Sequence, residues 1–205
     1  MKTARKVLMI ALCAVLLVSI SVMGTMAYLT SQDSVKNTFT VGNVKITLDE
    51  LDVDNDSNTE DNVQYGEGEN ATIRDRANAY KLMPGLDYDK DPTIHVADDS
   101  ENCWLFVKVE NGIAAIESGS IATQMTTNGW TPIAEGSNIY ARAAANKAGD
   151  SVKVFEHFTI KDDVNNTTLA TYNGKTIVVT AYAIQADGFE GETASDIWTA
   201  ANFAA

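Results

Sequence analysis

The chain has 205 residues, with 15 Lys and Arg against 28 Asp and Glu and a net charge of −13. That balance repels nucleic-acid phosphates and anionic lipid, and no basic stripe with interleaved aromatics appears, so nucleic acid is excluded as a partner. An apolar fraction of 45% with two cysteines describes a globular chain with a sizeable core, not a disulfide scaffold or a disordered segment.

The first element is a leader. Lys2, Arg5 and Lys6 precede the uncharged run VLMIALCAVLLVSISVM, Val7 to Met23, and Gly24, Thr25, Met26 and Ala27 follow. This is the three-part layout of a secretory signal, with Thr25 and Ala27 small enough for the specificity pockets of a signal peptidase. Residues 1–27 are read as a signal peptide cut between Ala27 and Tyr28, which leaves 12 Lys and Arg against 28 Asp and Glu, a net −16. The membrane is then met only through the signal before cleavage. At 17 residues the run approaches the roughly 20 that span a bilayer, so an uncleaved N-terminal anchor is the competing reading. Cys13 leaves with the signal, and Cys103 alone cannot form an intramolecular disulfide.

Residues 28–41 come next and lack Pro and Gly. Leu29, Ser31, Asp33, Val35, Asn37, Phe39 and Val41 alternate along one side, so the segment suits a long strand with a few apolar knobs. Alone it buries little. It is either a frayed terminus or a strand supplied to another sheet edge, where main-chain hydrogen bonds give affinity and alternate side-chain pockets give register.

From 42 to 205 the pattern predicts one domain dominated by period-2 segments bounded by Gly, Asn and Asp. Strands are expected over 39–50, 92–97, 103–110, 138–143, 151–160 and 176–186, with weaker ones around 71–82 and 121–134. The apolar parity changes between Val41 and Val44, which predicts a bulge or bend at Gly42 and Asn43. Residues 111–124 suit a short helical excursion, and ETASDIWTAANFAA a second one capped by Thr193 or Ser195. Many short strands without βα alternation predict an all-β antiparallel sandwich with Greek-key or jelly-roll winding. In CWLFVKV, alternation places Cys103 with Leu105, Val107 and Val109, so Cys103 is read as a buried, inert thiol.

The acidic stretch from Asp49 to Asn62 is read as a long exposed loop. Asp52, Asp54, Asp56 and Asn58 offer oxygens at every second position, as calcium loops do. The sixth position, where a turn glycine belongs, is Ser57 and the twelfth, where a bidentate glutamate belongs, is Val63, so an EF-hand is excluded. A loose calcium site on those four residues is the alternative to a solvated loop; no other cofactor is expected.

Hydrolytic chemistry finds little support in two histidines, no GxSxG and no HExxH. His95 and His157 each sit in a strand pattern, and a zinc site would have to recruit Asp98, Asp99 or Glu156 across strands.

AYLTSQDSVKNTFTVGNVKITLDE resembles the start of mature proteins of the TasA/camelysin family, which are exported by a SipW-type signal peptidase in Gram-positive bacteria. LMPGLDYDKDPTIHVADDSENCWLFVKVE, NGW at 128–130, the Tyr140 region, GDSVKVFEHFTI and VTAYAIQADGF followed by Trp198 resemble the same family in order and spacing. The resemblance covers nearly the whole chain after residue 27. It implies a jelly-roll domain, secreted to the cell surface or biofilm matrix, whose subunits polymerise by donating the N-terminal strand to the next subunit. The donor maps onto Tyr28 to Val41, with Leu29, Val35, Phe39 and Val41 as inserting side chains. It also implies contacts with other matrix proteins. CWLFVKV, where relatives often carry a YVR-like run, and the acidic insertion depart from the family pattern. A cell-surface metallo-endopeptidase, the activity ascribed to camelysin, is the alternative function, and a monomeric adhesin or binding module the third.

Overall fold

The computed structural model describes Lys6 and residues 43–54, 62–65, 72–142 and 145–203. From residue 43 on, all belong to one unit, Gly42–Ala205. The expected signal peptide, its cleavage site at Ala27 and Tyr28, and the donor positions Leu29, Val35, Phe39 and Val41 lie outside the described residues.

Every described strand pairing is antiparallel. The first sheet has the order β2-β3-β1-β5-β9, built from β1 (Ile46–Leu51), β2 (Val63–Tyr65), β3 (Thr72–Asp75), β5 (Thr93–Val96) and β9 (Ser151–Lys153). Its register aligns Leu48 with Ile94 and Ile94 with Val152, an apolar row on one face. Thr47, His95 and Ser151 form the next row, on the opposite face. A two-stranded ribbon pairs β4 (Asp87–Asp89) with β10 (His157–Thr159).

The second large sheet has the order β11-β6-β8-β7, from β6 (Cys103–Asn111), β7 (Trp130–Pro132), β8 (Ile139–Arg142) and β11 (Ile177–Gln185). Cys103, Leu105, Val107 and Val109 of β6 join Ile94, Val96 and Val152 in the main core, so both large sheets contribute to one apolar cluster. The other face of β6 is covered too. Phe106 packs with Ile197 of the C-terminal helix α3 (Ala194–Ala201), and Trp198 lies 5.4 Å from the Phe106 ring. Burial on both faces explains why β6 reads as a nearly continuous apolar run. Thr193 caps α3 by accepting from the Asp196 amide, as one of the two expected caps.

Several expected segments resolve differently. The 151–160 run is two strands in two sheets, because Val154 and Phe155 are both fully buried and break the alternation. Main-chain groups freed at that break are taken by a helix: Gln124 accepts from the Glu156 and His157 amides and donates to the His157 carbonyl, and Asn128 donates to the Val154 carbonyl. That helix, α1 (Ser120–Thr127), takes the end of the helical excursion expected over 111–124 and half of the segment expected as a weak strand over 121–134, of which only β7 is strand. The Glu117 carboxylate accepts from the Ser120 amide at its N-terminus, and Ile121 and Met125 bury one turn apart. Helix α2 (Asn166–Ala170) is capped by the Asn165 side chain.

The expected exposed loop over Asp49–Asn62 begins instead inside β1, with Asp49 and Glu50 buried. Asp49 pairs with Arg74, which is held in turn by Asp91, while Glu50 pairs with Lys90. Burial opposes the Arg74 charge, yet the hydrogen bonds to Asp49 and Asp91 outweigh it and hold the guanidinium above its ordinary range.

Candidate functional site

Strand β11 pairs with β6 through nine consecutive residue pairs, Ile177 with Asn111 to Gln185 with Cys103, and with no other strand among the described residues. Beyond its two ends, the Gly112 amide donates to the Thr176 carbonyl and the Ala186 amide to the Asn102 carbonyl. In an antiparallel ladder the hydrogen-bonded pairs recur every second residue, so the even-numbered residues of β11 bond to β6. Main-chain groups of Ile177, Val179, Ala181 and Ala183 therefore point away from β6, and among the described residues they have no partner.

These same odd-numbered residues turn their side chains toward the core, where they are only partly buried. Their neighbours Cys103, Leu105 and Val107 on β6 are fully buried. The core is closed at β6 and open at β11. Nothing in IVVTAYAIQ defends the edge either: it has no charge, no proline and no glycine, the devices that normally blunt an edge strand.

A cavity of about 1150 Å³ runs beside the first half of β11. It exceeds the roughly 300–1,000 Å³ of a small-molecule site. Apolar lining comes from Leu48 of β1, Leu82, Phe158 of β10, Leu169 of α2, and Ile177 and Val179 of β11. One wall is the irregular stretch 76–82, which holds its shape through side chains. Asn78 donates to Glu50 and to the Leu51 carbonyl, the Ala79 amide donates to Asp54, and the Tyr80 hydroxyl donates to the Asp89 carbonyl. The buried Glu50–Lys90 pair also lines the cavity, with the Lys90 ammonium 5.9 Å from the centre of the Tyr80 ring. Burial, then the nearby Glu50 and Asp54 carboxylates, push the Tyr80 phenol far above its ordinary range, so it stays a neutral donor.

No family model, curated protein or solved structure matches the chain. What the groove can hold follows from its own chemistry: an apolar trough beside main-chain donors and acceptors that have no partner among the described residues fits an extended peptide strand.

Of the four calcium candidates, Asp52 and Asp54 come together, joined by Asp75 of β3, with one oxygen from each within 4.8 Å of the others. Asp56 and Asn58 lie outside the described residues. Asp75 is buried and accepts from the Arg76 and Ala77 amides, so part of this trio's work is to anchor the groove wall. Sequence reading missed Asp75, which is distant along the chain and reaches β1 through the Glu50–Asp75 pairing. Neither histidine belongs to this or any other potential metal group among the described residues.

His95 instead sits between Ser151, 2.8 Å from Nδ1, and Asp49, 3.2 Å from Nε2. The hydroxyl–imidazole–carboxylate row spans β9, β5 and β1, and was invisible to motif reading because it follows from register alone. The Asp49 oxygen it uses is also taken by Arg74, so the row joins the ionic network that stitches four strands together. His157 stands 3.9 Å from Asp87 on the two-stranded ribbon. Cys103 is fully buried, and burial, then Asp150, pushes its thiol up to about 11, as suits an inert core thiol. Among the described residues no helix is long and apolar enough to cross a membrane.

Proposed function

We propose that this chain is a secreted structural subunit of TasA/camelysin type, a jelly-roll β-sandwich without enzymatic activity that polymerises head to tail into extracellular matrix fibres. After a SipW-type peptidase removes residues 1–27, the segment 28–41 of one subunit adds to the free edge of β11 in the next, and Leu29, Val35, Phe39 and Val41 enter the groove. The observation that carries this reading is the uncharged edge of β11, without a partner among the described residues, beside an open apolar trough. Strand addition would satisfy the outward groups of Ile177, Val179, Ala181 and Ala183, and each fully covered apolar side chain would contribute roughly 1.5–3 kcal/mol.

Like charge opposes assembly. A net −13 over the whole chain, and −16 after loss of the leader, repels neighbours over about 10 Å at 0.1 M salt, so salt, acid and divalent cations promote polymerisation. The acidic trio Asp52, Asp54 and Asp75 is one place where a divalent cation would act. The peptidase alternative lacks an assembled histidine ligand set among the described residues, and the adhesin alternative requires that loss of residues 28–38 leave binding and solubility unchanged.

Electron microscopy of the correctly trimmed protein beside a version with an extra N-terminal extension tests the proposal. Only the free terminus is expected to form filaments. A trimmed protein that stays monomeric at every concentration and ionic strength overturns it.

A further inference from the structure

The groove differs in charge from the rest of the molecule. Among the described residues, four of the chain's 15 Lys and Arg line it, Arg76, Lys81, Lys90 and Lys175, but only two of the 28 Asp and Glu. Both acids are already taken, Glu50 by Lys90 and Asp49 by Arg74. Arg76, Lys81 and Lys175 are exposed and form no ion pair among the described residues. An acidic protein thus presents cationic side chains beside the long strand edge that has no partner among the described residues.

The segment proposed to enter has one carboxylate. Asp33 is the first acid of the chain and the only one before Asp49. In an extended strand it shares a face with Leu29, Val35 and Phe39, while Lys36, the segment's only cationic side chain, falls on the other face. A carboxylate carried into an apolar trough with the inserting side chains is costly unless a cation meets it there. That face also carries Ser31 and Asn37 but no other charge, so the one carboxylate fixes register, because each two-residue slip moves it away from its partner.

Resting on the strand-addition reading, we propose that Arg76, Lys81 and Lys175 form a carboxylate clamp that receives Asp33 of the neighbouring copy and sets the register of the entering strand. The clamp adds selectivity for a strand with an inward acid, and it places one attractive contact inside an interface that net charge otherwise opposes.

Charge reversal in the full, correctly trimmed chain tests this, read as the lowest protein concentration that yields sedimentable filaments at about 0.01 M salt, where screening is weakest. Asp33→Lys is the decisive variant, because it removes two units of net negative charge. General repulsion alone would make it assemble more readily. The clamp makes it assemble less readily, with the threshold raised about tenfold or more, the ratio that one charge-assisted hydrogen bond commands. The triple variant Arg76→Glu, Lys81→Glu, Lys175→Glu is expected to do the same, and combining it with Asp33→Lys to bring the threshold back toward the parent value. An Asp33→Lys chain that polymerises at or below the parent threshold overturns the clamp, as does a combined variant that stays as impaired as the triple. In both cases strand addition itself survives, since parent filaments still form. If the parent forms none at any ionic strength, the strand-addition reading falls and the clamp falls with it; if it forms them only at higher salt, the thresholds are compared at the lowest salt that yields parent filaments.

Discussion

The two edges of the four-stranded sheet face the same problem and solve it differently. At one edge, β7 is three residues long and ends in Pro132, and Trp130 is buried with its indole donating to the Lys153 carbonyl 2.9 Å away. The Arg142 guanidinium lies 5.8 Å from the same ring. This edge is short, carries a residue that cannot donate, and is tied to the other sheet. At the opposite edge, β11 is nine residues long, uncharged, and backed by an open trough. Among the described residues one edge is sealed and the other has no partner strand, an asymmetry that under the proposed strand addition would admit a neighbour on one side only and so give a linear polymer instead of a disordered aggregate.

The largest expected effect comes from breaking the open edge. The Val179 amide points away from β6, so Val179→Pro removes an outward donor without touching the ladder, a position where an edge strand tolerates proline. Filaments are expected to disappear in electron micrographs while the far-ultraviolet circular dichroism of the monomer stays that of the parent. Filaments of normal length from this variant would show that β11 is not the acceptor. The closed edge should respond in the opposite sense. Trp130→Ala leaves a cavity in the core and an unmatched Lys153 carbonyl, and is expected to cost about 3–5 kcal/mol in urea unfolding. A loss below about 1 kcal/mol would mean that β7 does not seal the sheet.

The comparison was only half legible in the sequence. Strand β6 announces itself, since Leu105, Val107 and Val109 alternate with Trp104 and Phe106 and both rows are apolar. Strand β11 was legible as a strand over 176–186 but not as an edge, because which neighbours a strand lacks is decided by the tertiary fold. The trough was not, because a cavity is defined by where distant segments stop: Leu82, Leu169 and Phe158 meet there only through the tertiary fold. Strands β2 and β4, at three residues each, are too short for alternation to register. Asp49 and Glu50 looked solvated for a similar reason, since their partners Arg74 and Lys90 lie far along the chain. Helix α1 was legible only at its start, within the excursion expected over 111–124, because the Ile, Ala and Thr that continue it suit a strand as well, and Glu117, which accepts from its first amide, precedes it inside a turn.

Cys103 sharpens the contrast on the closed side of the core. Its folded thiol is raised to about 11, above the usual value near 9, so the folded state holds the proton more tightly. That contribution is complete below about pH 9 and is lost as pH rises toward 11, a decline on the order of 2–3 kcal/mol. A thiol reagent at pH 8 should label the urea-unfolded chain and leave the folded one unlabelled. Labelling of the native protein at the unfolded rate would mean that the core beneath β6 is as open as the trough beside β11.

A smaller effect tests where the open edge begins. The Gly112 amide donates to the Thr176 carbonyl at 2.9 Å, the rung just outside the first paired residue of β11. A Cβ on Gly112 would stand 2.7 Å from that carbonyl oxygen and 3.3 Å from the Thr176 nitrogen, main-chain atoms and not the end of a flexible side chain. Gly112→Ala must therefore push Thr176 away and fray β11 at the end where Ile177 and Val179 line the trough. Overpacking of this kind costs about 1–3 kcal/mol. Because the fray falls on the groove, assembly should weaken by more than monomer stability alone accounts for. Equal filament thresholds in the parent and in Gly112→Ala, with the stability loss present, would place the entering strand further along β11, beyond the cavity.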